Sequence, residues 1–273
     1  MTHILRLVAV LVLLAMPALA QNRPAMDRLG AALRLDKIVD IMRHEGLATA
    51  DDLAVEMLGG PRREWSDALA RIYDPARMIA TVRSGMDEEL GDDEADRISA
   101  FFSSELGSRI IALELSAREA FMDEGIEQAS NDTAMQLPET DPDRFALLEE
   151  FIGINNLVES NVVGAMNSNF AFFSGLAEGG MFGETLAEED MLREIWSQEP
   201  EIRAETTVWL HSYLGLAYRP LSDEELQLYL DFSASDAGQA MNRALFTGFD
   251  RMFVHLSRAL GLTLGRLARV EEL

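Results

Sequence analysis

No cysteine occurs anywhere in this 273-residue chain. Disulfides, thiolate nucleophiles and cysteine-held metals are therefore excluded, as is the lipid anchor that exported bacterial proteins carry on a cysteine at the cleavage site. Basic residues are scarce. Against 47 Asp and Glu there are 23 Lys and Arg, Lys37 being the sole lysine, for a formal net charge of −24. A surface of that sign repels nucleic acid and anionic membrane surfaces, so neither is expected as a partner. Its ordinary consequence is solubility, with an acidic cation-binding role the weakest of the functions considered. Strand signals are missing as well: no run of β-branched residues alternates with polar ones. Long apolar runs are missing beyond the N-terminus. The most hydrophobic later stretch, Phe151 to Leu176, is interrupted by Asn155, Asn156, Glu159, Asn161 and Asn167, so no membrane span is expected in the mature chain.

Residues 1–20 have the three-part layout of a cleavable secretory signal. Positive charge sits on the N-terminus and Arg6, Leu7 to Met16 is unbroken apolar sequence, and Pro17-Ala18-Leu19-Ala20 supplies the small residues a signal peptidase needs. That run is too short for a stable bilayer anchor. The expectation is a periplasmic or secreted protein, and loss of Arg6 makes the mature chain one unit more negative.

Helix punctuation fills the remainder. Asp74-Pro75 places a capping residue before a proline at the first helical position. Thr49 with Asp52, and Ser222 with Glu225, resemble capping boxes, and Gly46 suits the end of a helix begun near Asp27. The pattern predicts an all-α fold with helices over 25–45, 51–58, 62–73, 75–89, 92–103, 105–124, 143–173, 186–197, 201–218, 223–233 and 236–268. Two stretches read as loops. Gly125 to Asp143 is acidic and broken by Pro138 and Pro142. Gly175 to Glu184 carries four glycines around Met181 and Phe182 but lacks the lysine and hydroxyl of a phosphate-binding loop.

The strongest internal signal is a repeat at a constant offset of 131 residues. Trp65-Ser66 recurs as Trp196-Ser197, and Met78-Ile79 and Val82 as Trp209-Leu210 and Tyr213. Leu90, Asp92, Glu94, Phe101, Ser104 and Gly107 recur identically as Leu221, Asp223, Glu225, Phe232, Ser235 and Gly238. The motif specifies a helix–corner–helix unit: acidic residues at a helix start, a phenylalanine near its end, then a serine cap for the next helix. The glycine three residues past that cap lets the two helices approach closely. The chain is thus expected to divide into a signal (1–20), a first helical repeat (21–125), an acidic Pro-containing linker (126–142) and a second repeat (143–273), two diverged copies packed as a bilobed body.

Phe101-Phe102-Ser103-Ser104-Glu105-Leu106-Gly107, preceded by Asp92-Asp93-Glu94, resembles the signature of an exported helical bacterial family known as domain of unknown function 2059. There the acidic helix start is followed by Phe-Tyr-x-Ser-Pro-x-Gly. Both copies here keep the Phe, Ser and Gly. They depart at the Tyr, with Phe102 and Ser233, and at the Pro, with Glu105 and Asp236. Proline and an acidic residue both suit a first helical position, so the latter departures leave the fold intact. The resemblance implies export and helical structure, and offers no activity or site residues to transfer.

Chemistry is sparsely signalled. His44, His211 and His255 are scattered, the acidic clusters lack the spacing of a calcium loop, and no nucleophile elbow is present, so neither metal nor cofactor is expected. Glu159-Ser160 invites comparison with lytic transglycosylases, whose catalytic glutamate protonates a glycosidic oxygen from an apolar pocket. A non-enzymatic envelope binding or scaffold protein is the leading expectation, its partner an envelope protein, peptide or glycan. Its ligand is expected at Asn155, Asn156, Phe170, Phe172, Phe173, Met181 and Phe182. A peptidoglycan-cleaving enzyme using Glu159 is the alternative.

Overall fold

A computed structural model of the chain describes residues 23–60, 62–182 and 188–269. The expected signal and its cleavage point lie outside the described residues. Within them all regular structure is helical: α1 (Pro24–Ala32), α2 (Leu35–Leu58), α3 (Arg63–Ile72), α4 (Pro75–Glu89), α5 (Asp92–Phe102), α6 (Glu105–Ala120), α7 (Glu124–Thr140), α8 (Pro142–Ile154), α9 (Leu157–Gly179), α10 (Glu188–Ser197), α11 (Glu199–Tyr218), α12 (Asp223–Ala234) and α13 (Asp236–Arg269). Among the described residues no helix is long and apolar enough to cross a membrane.

Most helix starts are where the capping chemistry puts them. Asp74 accepts from the Arg77 amide at 2.9 Å and starts α4, and Ser222 closes a reciprocal capping box with Glu225 on α12. Ser104 and Ser235 each accept at 3.1 Å from the amide of Gly107 and Gly238, starting α6 and α13. A Cβ on either glycine would lie 2.2 Å from the carbonyl oxygen of Phe101 or Phe232, so only glycine fits the two corners.

Several boundaries differ from the sequence reading, the first being a left-handed break at Arg34 that divides the helix expected over 25–45 into α1 and α2. Gly46 does not end a helix: α2 runs through it and through Thr49, whose hydroxyl bonds back to Glu45, because the Tyr73 ring occupies the space a side chain would take. The long helix expected over 143–173 is divided by Asn155 and Asn156, the latter at φ +49°, a left-handed conformation that asparagine tolerates. The expected linker is largely helix. Asp123 caps α7 at 2.8 Å from the Gly125 amide, and Pro138 sits harmlessly in its last turn. Surface helices that bury little, here Ser130 alone, carry a polar composition that reads as loop.

The fold is organised around α13, 34 residues and about 51 Å long. It packs most extensively on α9 and next on α4, so one continuous core runs from Ala25 to Leu264. Glycines make that packing close. Gly85 of α4 meets Gly248, and Gly179 of α9 meets Gly265, while Gly175 faces the Arg258 carbonyl and Gly261 the Phe172 carbonyl. Gly175 and Gly179, read from sequence as part of a loop, are therefore helical residues of a helix–helix seam.

The two corners share their surroundings. At the start of α1, Arg23 donates to the Leu90 carbonyl at 2.8 Å and the Asp87 carbonyl at 3.2 Å, and pairs with Asp92 at 2.8 Å. In α8, Arg144 donates to the Leu221 carbonyl at 3.1 Å and to the Tyr218 carbonyl, and pairs with Asp223 at 2.8 Å. Phe101 and Phe232 stack face to face, centroids 3.8 Å apart. The tryptophan pair does not share an environment. Trp65 is fully buried and donates to the Ala50 carbonyl, whereas Trp196 is 64% exposed. On α10 the burial falls on Met191 and Ile195, and the residue after Ile195 is rotated about 100° away from them.

The glycine seam yields a paired expectation. Gly261→Ala puts a Cβ 2.1 Å from the Phe172 carbonyl oxygen, whereas Gly215→Ala in α11 meets nothing within 4 Å. Urea unfolding should show Gly261→Ala destabilised by about 1–3 kcal/mol despite alanine's better helix propensity, and Gly215→Ala unchanged or stabilised by up to about 1 kcal/mol. Equal effects at both positions would contradict a close-packed seam.

Candidate functional site

A groove of about 390 Å³ lies where α3 and α4 meet α13. The short turn after α3, fixed by the Asp74 cap and Pro75, folds the end of one helix back beside the start of the next. Arg71, in the last turn of α3, and Arg77, in the first turn of α4, therefore line the same groove. From α13 come Met252, His255, Leu256, Ala259 and Thr263, a three-to-four spacing that presents one helix face. Met78, Met252 and Leu256 form a buried apolar floor, with Arg71, Arg77 and His255 exposed at the rim.

The rim is electrostatically unusual for this chain. Among the described residues no acidic side chain lines the groove, although acids outnumber bases two to one overall. Most arginines elsewhere in the seams are engaged: Arg118 forks onto Glu45, Arg251 onto Glu88, and Arg203 bridges Glu159 and Glu199. The guanidinium groups of Arg71 and Arg77 have no hydrogen-bond or ion-pair partner among the described residues. The two hydroxyls are committed, Thr81 to the Arg77 carbonyl and Thr263 to the Ala259 carbonyl. Such a set has the donors to hold an anion, and among the described lining residues no nucleophile is paired with a base. Sequence reading saw His255 only as one of three scattered histidines and passed over both arginines, because their convergence depends on a contact between α3, α4 and α13.

The residues singled out from sequence lie elsewhere and are spread along α8 and α9. Asn155 is buried, its amide donating to the Phe151 carbonyl at 3.0 Å and its own carbonyl accepting from Asn242 at 2.8 Å. Asn156 is the left-handed joint before α9. Phe172, Phe173, Met181 and Phe182 pack partly buried against the core, Phe172 and Phe173 edge to face at 5.9 Å, and Phe170 is partly exposed. Glu159 is exposed in the first turn of α9 and accepts from Arg203 at 2.8 Å, an arrangement opposite to the apolar pocket a proton-donating glutamate needs.

A second polar assembly went unread in the sequence. Glu114, in the middle of α6, is ringed by three of the chain's four tyrosines. Tyr218 donates to its carboxylate at 2.7 Å and Tyr229 at 3.3 Å, while Tyr213 donates to its backbone carbonyl at 2.9 Å. Removal from water pushes the carboxyl up to about 7, outweighing the two hydroxyl donors that favour the anion. The same burial raises the three tyrosine hydroxyls, with the neighbouring carboxylate adding to the effect. This cluster ties α6 to α11 and α12.

Glu114 sets a pH dependence of stability. Its folded value lies above its ordinary 4.5, so the folded state binds the proton more tightly than the unfolded one. Its stabilising contribution is full below pH about 4.5 and is lost as pH rises through about 7. Between pH 5 and 8 the wild type should lose on the order of 2 kcal/mol relative to Glu114→Gln, which keeps an acceptor for Tyr218 and has no proton to lose. Urea titrations at several pH values should show the two curves converging at low pH. Parallel curves would refute a perturbed Glu114.

Residues 76–136 match a family described as an uncharacterized protein conserved in bacteria, DUF2059. The matched segment runs from the first turn of α4 through α5 and α6 into α7, and so contains the first corner and Arg77. No curated protein and no solved structure matches the chain.

Proposed function

We propose that the chain is an exported, non-enzymatic binding or scaffold protein of the bacterial cell envelope, built from two diverged copies of a helical unit. The carrying observation is the groove on α13: unpartnered cations above an apolar floor, with no acidic side chain among the described lining residues, in a strongly acidic protein. Pockets of this size with a few orienting polar groups serve recognition of small molecules. The duplication is supported by the matching corners, each with its serine cap, its glycine contact and an arginine on two carbonyls and an aspartate at positions 131 residues apart. The left-handed joints at Arg34 and Asn156, each between two helices preceding such a corner, add to it. Export rests on the signal-like layout of the first twenty residues.

The alternative, peptidoglycan cleavage by Glu159, draws little support from a carboxylate that is exposed and paired with Arg203. Native mass spectrometry of protein purified from an exporting host reads the proposal directly. The polypeptide mass should correspond to a mature chain beginning at Gln21, with a small anionic molecule bound that is lost in the Arg71→Ala/Arg77→Ala double variant. A mass that includes Met1 would overturn export. Cleavage of peptidoglycan by the purified protein, abolished by Glu159→Gln alone, would replace the binding reading with the enzymatic one.

A further inference from the structure

The groove's chemistry narrows what it takes. We propose that it binds a small amphiphilic anion: a single carboxylate or phosphate group held between Arg71 and Arg77 beside His255, and a short apolar chain along Met78, Met252 and Leu256. This deepens the binding reading above and rests on it.

The charged end follows from the rim. A guanidinium presents parallel N–H donors that match a carboxylate or phosphate, and charge-assisted bonds of that kind are stronger than neutral ones. Arg71 and Arg77 approach from two different helices and neither is neutralised by a neighbour. A ligand anion is therefore their available counter-charge. The overall charge of −24 does not prevent this, because distant carboxylates are screened beyond about 8 Å at physiological salt, while the fixed charges among the described lining residues are Arg71 and Arg77. That same charge disfavours docking on an anionic membrane surface, where many like charges meet at once, so the ligand is a single molecule.

The apolar end follows from the floor. Hydroxyls that would suit a sugar are already spent on α-helical carbonyls at Thr81 and Thr263, and the remaining lining is Ala68, Ile72, Ala259 and the three buried apolar side chains. Methionine side chains adapt to chains of varying shape, and two of the floor residues are methionine. A volume of about 390 Å³ admits a head group with a chain of roughly eight carbons and excludes a two-chain lipid.

Isothermal titration with defined probes tests this on the mature protein. Octyl phosphate and octanoate should bind saturably, at least tenfold more tightly than butyl phosphate and butyrate, because each of the four further buried methylenes adds affinity. Octyl glucoside, which has the chain without the charge, and inorganic phosphate, which has the charge without the chain, should bind at least tenfold more weakly. Arg71→Glu/Arg77→Glu should weaken octyl phosphate at least tenfold. Arg243→Glu, an equal change of charge per site at an exposed α13 position outside the groove, should leave it within twofold. Octyl phosphate and octanoate together show the shared chemistry, and a preference of one over the other identifies the head group. Inorganic phosphate binding as tightly as octyl phosphate, equal binding of octyl glucoside, or no saturable binding of any probe would overturn the inference. A copurified ligand of another class, lost with the two arginines, would leave the binding reading standing and remove this one alone.

Discussion

The close approach of α13 to α4 and α9 is the constraint on which the structure depends. A helix pair normally stands 8–10 Å apart because side chains intervene. Here Gly85 against Gly248 and Gly179 against Gly265 bring backbone to backbone, and Gly175 and Gly261 each accept the partner helix's carbonyl where a Cβ would be. That proximity trades six side chains' worth of apolar burial for dense backbone packing. It also fixes rotation about the α13 axis. With the glycine face turned to α9 and α4, the row Met252, Leu256 and Ala259 is directed to the junction with α3, and His255 to its rim. The groove is a by-product of how that one helix is locked.

Around this axis the two corners act as staples of similar design. Each combines a serine cap, a glycine that admits the preceding helix, and an arginine that satisfies carbonyls left over at a helix end. Arg144 is buried and would be costly there without its aspartate and two carbonyl acceptors. The stacked Phe101 and Phe232 join one corner to the other, and the Glu114–tyrosine cluster joins α6 to α11 and α12. Polar and aromatic contacts therefore hold the two halves on one side of the molecule, and glycine packing holds them along α13.

Local features of this fold were legible in sequence to the extent that their causes are local. Caps at Asp74, Ser104, Ser222 and Ser235 involve residues three apart, and their periodicity and composition suffice to find them. Features set by distant neighbours were not. Gly46 reads as a terminator until Tyr73 is seen beside it, and Gly175 and Gly179 read as loop until α13 supplies the surface they pack on. Trp196 looked like the partner of Trp65, but a repeat in sequence register does not fix which face of α10 turns inward. The same limit governed the site. Asn155 and the Phe172–Phe173 pair stood out by composition and serve packing, whereas Arg71, Arg77 and His255 belong to three helices and carry no joint signature in the chain.

The proposed recognition surface is the face of α13 that its glycine seam leaves open, away from the polar and aromatic joints. Backbone amide spectra of the mature protein, recorded by NMR during titration with octyl phosphate, measure that placement residue by residue. Shifts concentrated at 68–81 and 252–263, with 153–182 unperturbed, are the predicted result. Shifts concentrated instead around Asn155 to Phe182, with the groove silent, would contradict it.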